Sequence, residues 1–335
     1  MDLDVFVAAH NAEWDRLAEL VSRGSRLRGT EADELVRLYQ RTATHLSILR
    51  STAPDPALLA RLSALVAKGR SAVTATHNPA WREVGLFFSR RFPAAVYSSR
   101  AWWGATAAVF VLVTGVLSAW VAGDERVRAT IAAPEEIRAM TQPGGAYESY
   151  YSSGPAGSFA AQVWTNNAQV AAACLLLGVL LCVPVVLVLW LNALNLGVGI
   201  GLMASAGRGE FFLGLLAPHG LLELTAVFVA AGAGLRLGWT VIDPGGRPRS
   251  VALAETGRAV GAIALGLVCV LLVSGVIEAF VTPSGLPTWA RVGIGCLAEA
   301  AFLAYVFVFG RRAAAEGETG DVDARHAGDT LPSAG

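Results

Sequence analysis

The sequence predicts an all-α fold: a polytopic helical membrane protein of about five to six membrane segments, including a broken or re-entrant helical hairpin, preceded by a cytoplasmic helical bundle. Three observations lead there. Of the 335 residues, 54% are hydrophobic and only 16% charged, with a mean hydropathy of +0.51, whereas an ordinary soluble domain carries roughly 25% charged residues. Beyond residue 100, apolar runs of about 20 residues, the length that spans a bilayer core, recur between short polar connectors. The first 80 residues instead place apolar side chains at helical spacing and carry helix-start signals.

Residues 1–80 form the bundle. Phe6, Trp14, Leu17, Leu20 and Val21 make one stripe, opposite Asp15, Arg16, Glu19 and Arg23. Thr30 caps a second helix, with Asp33 and Glu34 in its first turn and Leu35, Leu38, Tyr39, Leu46 and Leu49 behind them. Asp55 caps a third, because Pro56 lacks an N–H and presets the backbone for a first helical position. His10, His45 and His77 fall one per segment and read as scattered packed or surface residues rather than a metal site.

Residues 81–100 mix Trp81, Val84, Phe87, Phe88 and Phe92 with Arg82, Arg90 and Arg91, the composition of an interfacial juxtamembrane helix. The transmembrane domain follows over 101–312. Trp102–Ala122 is its first span, and Arg90, Arg91 and Arg100 before it place the N-terminal side in the cytoplasm. Residues 123–165, modestly acidic and rich in tyrosine, then form an external loop, the surface expected to meet an extracytoplasmic partner. Val170–Leu191 is the second span, kinked at Pro184. Val260–Val281 and Trp289–Phe309 are the last two, and Arg247, Arg249 and Arg258 with Arg311 and Arg312 place both termini on the cytoplasmic side of the plasma membrane. A tail over 313–335, rich in Ala, Gly, Glu and Asp, reads as disordered.

Between Asn192 and Asp243 the chain must cross an even number of times. Either Asn192–Ala206 is a short span paired with His219–Val241, or the stretch re-enters without crossing. Gly197, Gly199 and Gly201 loosen the backbone, and Pro218 opens the next helix, with His219 and Glu223 one turn apart on one face. Gly197/Gly201, Gly234/Gly238 and Gly257/Gly261 are small-residue pairs that permit close helix approach.

Ionisable side chains are costly in hydrocarbon and mark function by default, so His219, Glu223, Asn192, Asn195 and the mid-span Glu299 form a candidate polar cluster. The competing reading is structural, with His219 and Glu223 bonded to Asn192 or Asn195 and locking the hairpin. Glu278, Arg291 and Arg236 lie near helix ends and read as interfacial, Glu278 and Arg291 sharing the outer side.

The Asn-rich helix end, the Gly-rich stretch, the motif Pro218-His219-Gly220-x-x-Glu223 and the helix ending AAGAGLRLG together resemble the stage II sporulation protein M family of bacterial integral membrane proteins. The likeness covers roughly residues 100–310. It implies a role in envelope remodelling alongside peptidoglycan hydrolases, as in engulfment by spore formers, and supplies no molecular activity.

Several classes are excluded or unsupported. A formal net charge of zero argues against a nucleic-acid partner. Cys174, Cys182, Cys269 and Cys296 lie in apolar segments without metal or redox spacing, and no basic start followed by an apolar run suggests a cleaved signal peptide. No zincin, hydrolase-elbow or phosphate-loop motif is present. The expectation is a non-enzymatic assembly platform, with no catalytic residues, cofactor or metal. Its partners would be the lipid bilayer, other envelope proteins and, compatibly, further copies of itself. A transporter or channel with its site at the Gly-rich and Pro-His-Gly-x-x-Glu region is the alternative.

Overall fold

The computed structural model describes residues 3–23, 27, 30–52, 55–74, 80–149 and 156–321, and among them every regular element is helical. His77, the loop tip 150–155 and the tail 322–335 lie outside the described residues. The chain divides into two compact units, Met1–Val84 and Gly85–Gly335.

The first unit holds α1 (Leu3–Arg23), α2 (Thr30–Thr52) and α3 (Pro56–Thr74). The predicted apolar stripes meet in one core of Trp14, Leu17, Leu20, Leu35, Leu38, Leu49 and Leu62. Asp55 caps α3 as expected, its Oδ1 accepting the N–H of Ala57 at 2.8 Å and of Leu58 at 3.1 Å. Arg16–Glu34, Arg23–Glu31 and Arg61–Asp15 pair across helices at 2.9, 2.7 and 2.8 Å; such exposed pairs select register more than they stabilise. Two of the histidines are not scattered. Packing α1 on α2 brings the His10 and His45 rings to 4.1 Å, and Trp14 Nε1 donates to His45 Nδ1 at 3.2 Å.

The boundary falls within α4 (Ala80–Leu86), after which the second unit continues with a π-helical turn (Phe87–Arg91) and α5 (Phe92–Ser98). Trp81 and Val84 are exposed, but Phe92 to Val96, expected at an interface, are buried in the core. Next come α6 (Arg100–Gly123), the short α7 (Glu125–Ile131), α8 (Pro134–Thr141) and α9 (Ala146–Ser149), then α10 (Ala156–Leu177), α11 (Val183–Ser205), α12 (Gly209–Ile242) and α13 (Arg249–Phe280). The last helix, α14 (Thr288–Tyr305), continues through a second π-helical turn (Val306–Gly310) into α15 (Arg311–Ala315).

Among the described residues five helices are long and apolar enough to cross a membrane: Arg100–Gly123, Val183–Ser205, Gly209–Ile242, Arg249–Phe280 and Thr288–Ala315. Their outward faces carry Leu112, Leu265 and Leu297, each about two-thirds exposed or more, which hydrocarbon accommodates and water would not. α10 is a further pass through the body, since α6 and α11 run parallel and the chain must return between them.

The central stretch differs from expectation. The stretch Val170–Leu191 is not one kinked span: it breaks at 178–182, where Leu181 and Cys182 adopt φ of 55° and 70°, and Pro184 sits in the first turn of α11. Consequently Asn192 and Asn195 lie mid-helix rather than at a helix end. Gly197, Gly199 and Gly201 continue a regular helix, and Pro218 lies inside α12 rather than starting it. There is no re-entrant hairpin among the described residues; α11 and α12 are two full passes joined at 206–208. Bilayer helices tolerate an internal proline where neighbours cover the freed backbone.

The glycines explain the close crossings. A Cβ at Gly201 would lie 2.8 Å from Ser118 O on α6, and one at Gly234 would lie 2.0 Å from Cys174 O on α10. Gly257 and Gly261 face nothing within 4 Å, so the third predicted pair makes no such contact.

The end of the unit is also more ordered than its composition suggests. Arg258 holds Asp321 with two hydrogen bonds, the Nη2–Oδ2 one at 2.7 Å, and Asp321 is buried. The stretch 313–321 is thus anchored to α13. Tyr305, the last residue of α14, likewise donates to the carbonyl of Phe88 in the first π-helical turn.

Candidate functional site

α12 and α13 pack antiparallel, and α14 lies along the other side of α12. Gly295 lets α14 press against Pro218, where a Cβ would come 2.4 Å from the Pro218 carbonyl oxygen. That contact leaves His219 pointing toward α13, where Ser274 and Glu278 share a face one turn apart, and toward Thr282 in the turn just beyond the helix.

His219 is 4% exposed and Glu278 1%. The imidazole Nδ1 lies 3.2 Å from Thr282 Oγ1, and Nε2 lies 3.6 Å from Glu278 Oε1. Ser274 Oγ donates to the His219 carbonyl at 3.0 Å and stands 3.5 Å from Glu223 Oε2. Glu278 Oε2 is buried without a hydrogen-bond partner. His219, Glu223 and Glu278 each offer one ligand atom, all within 4.8 Å of one another.

The predicted cluster therefore separates into three places. His219 and Glu223 come together, but with Glu278 rather than with either asparagine. Asn192 donates to its own helix at Val188 O, 2.8 Å away, and with Asn195, Tyr147 and Phe212 lines a different groove of about 550 Å³. Glu299 accepts from Thr225 Oγ1 at 2.9 Å, leaving its Oε2 buried and unpartnered.

Glu278 is buried in the body rather than interfacial. Its position near a helix end predicts an interfacial side chain on the outer side that Arg291 shares. Arg291 instead donates to Thr282 O at 2.7 Å and Thr288 Oγ1 at 3.1 Å. The Ser274, Glu278 spacing, two polar groups on one face of an apolar helix, was the available signal.

At the end where α6 and α11 finish, Arg208 closes the connector to α12. It donates to Thr141 O at 2.8 Å and to Glu148 Oε2 at 2.7 Å. The Arg208 guanidinium, with the Gly144 N–H at 3.0 Å, holds the Glu148 carboxyl below its usual range. The first unit has a second group of ligand-type atoms, His10, Glu13 and His45, but there Arg41 already pairs with Glu13 at 2.8 Å.

Two family models match the chain. One, Domain of unknown function (DUF8413), covers residues 4–75, which is the three-helix unit. No curated protein and no solved structure matches. The other model, Stage II sporulation protein M, covers residues 107–283, more than half of the chain, from within α6 to just beyond Glu278, and includes all three residues of the buried group. The chain is thus a membrane protein that belongs to the stage II sporulation protein M family.

Proposed function

We propose that the chain is a plasma-membrane protein with both termini in the cytoplasm, acting as a non-enzymatic platform on which envelope-remodelling partners assemble. The observation that carries this reading is the separation of its polar groups. His219/Glu223/Glu278, Asn192/Asn195 and Thr225/Glu299 make separate contacts, whereas a transporter needs one wet passage lined by such groups. A platform needs exposed surface outside the bilayer, and the three-helix unit and the α7–α9 segment supply it on different parts of the chain.

The arginines support the orientation: Arg90, Arg91, Arg247, Arg249, Arg311 and Arg312 gather at the end opposite α7–α9. Cysteines placed at Glu135 and Arg249, in a chain lacking the native four, are expected to react with impermeant maleimide from outside and inside respectively. Labelling of both from outside overturns the orientation.

The platform itself is tested by deleting residues 1–84. The truncated chain is expected to reach the membrane at near wild-type abundance yet fail to complement a deletion strain. Photocrosslinking from Arg37 of the full chain should yield discrete adducts in native membranes. Full complementation by the truncated chain, with no adducts from the intact one, would remove the reading.

A further inference from the structure

We infer that His219, Glu223 and Glu278 bind a divalent transition-metal cation, with Zn²⁺ the best-fitting class, tying α12 to α13 inside the membrane body. This site is independent of the platform reading.

The donor set and its charge carry the inference. Two carboxylates and a neutral imidazole supply two negative charges, which one divalent ion neutralises. Among the described residues no arginine or lysine pairs with Glu223 or Glu278, and the neutral imidazole of His219 is their nearest basic group, so no fixed cation among those residues stands where two acids converge out of water. Isolated charges are not left in such places; the group is protonated, paired or coordinated to a metal, and a metal is the outcome that also engages the imidazole and both acids at once. Glu278 is 1% exposed, and its Oε2 has no partner; a coordinated ion provides one.

The geometry fits without large movement. Ligands about 2.0–2.2 Å from a tetrahedral zinc stand about 3.4 Å apart. His219 Nε2 and Glu278 Oε1 are 3.6 Å apart, and the third atom lies within 4.8 Å, inside the reach of a carboxylate rotation at Glu223. Thr282 Oγ1, 3.2 Å from Nδ1, fixes the ring so that Nε2 faces the acids, the outer-shell arrangement typical of a metal-bound histidine. Imidazole combined with carboxylates favours zinc, manganese or iron over magnesium or calcium, which prefer oxygen alone.

The His10, Glu13, His45 group is the natural competitor. It already has Arg41 on Glu13, and His45 Nδ1 is occupied by the Trp14 N–H.

The test uses the full chain in detergent, stripped with chelator, reloaded with Zn²⁺ or Mg²⁺, desalted and assayed for bound metal and thermal unfolding. Wild type should retain about one zinc and no magnesium, with unfolding raised by about 5 °C or more. Glu278→Gln and His219→Gln should each drop retained zinc at least about fivefold while remaining monodisperse. A His10→Gln/His45→Gln double variant should keep the full zinc content, which supports the site even where a membrane variant fails to fold. Wild type without retained zinc, zinc unchanged in Glu278→Gln and His219→Gln, or zinc lost in the double variant would each overturn the assignment.

Discussion

Gly234→Leu is expected to abolish the folded protein. Its first added atom would stand 2.0 Å from the Cys174 carbonyl oxygen and 2.9 Å from its carbon, both backbone atoms of α10 that no rotamer change can move aside. Ordinary overpacking of a core costs about 1–3 kcal/mol because side chains can shift. Here two helices must separate along the Gly178, Gly234 and Gly238 crossing, where a Cβ at Gly238 would also lie 2.3 Å from Gly178 O. Membrane abundance and monodispersity in detergent measure the effect. Gly261→Ala is the control: nothing lies within 4 Å of its added carbon, and alanine favours a helix over glycine by about 1 kcal/mol, so abundance should hold or rise. Equal behaviour of the two variants would show that the close crossing does not organise the fold.

The second large effect lies in the three-helix unit. Trp14 is fully buried, and its indole donates to His45. Replacing a buried tryptophan by alanine costs about 3–5 kcal/mol, a large share of what so small a unit can supply. The fragment 1–84 is expected to be helical in water and to melt cooperatively, whereas Trp14→Ala should be mostly unfolded at 37 °C by circular dichroism. Burial, with His10 beside it, holds the His45 imidazole below its ordinary value. The unfolded chain therefore binds more protons below about pH 6.5. Melting should be highest above that pH and decline as pH falls from there through the depressed folded value. A wild-type fragment that is coil at neutral pH would refute an independently folding unit.

How far the sequence reveals all this depends on the kind of information each feature needs. The bundle core from Trp14 to Leu62 and the Asp55 cap are local, periodic signals and read directly. Most membrane passes follow from hydropathy alone. The boundary between α10 and α11 does not, because Gly178 to Cys182 sits inside one unbroken apolar run; the left-handed turn there depends on how α12 packs at Gly234 and Gly238. Pro218 and the Gly197 series look like breaks in isolation, yet neighbouring helices absorb them. The site was half legible. His219 and Glu223 stand out as polar residues one turn apart, and Ser274 and Glu278 share a polar face of their own, but neither spacing tells that the two faces meet across more than 50 residues of chain.

The Arg208 clamp bears on how the chain is built. In the proposed orientation this arginine must pass through the bilayer with the α11–α12 connector, at a cost of about 2.5–3.5 kcal/mol at mid-membrane by insertion scales. Its acceptors, Thr141 O and Glu148, belong to a segment synthesised about 60 residues earlier and already delivered to the far side behind α6. The connector therefore arrives to a waiting counter-ion, and once engaged it cannot slide back without stranding a bare guanidinium in hydrocarbon. In that orientation the bridge opposes return of the connector, because the Arg208 guanidinium would have to leave Thr141 O and Glu148 before re-entering hydrocarbon.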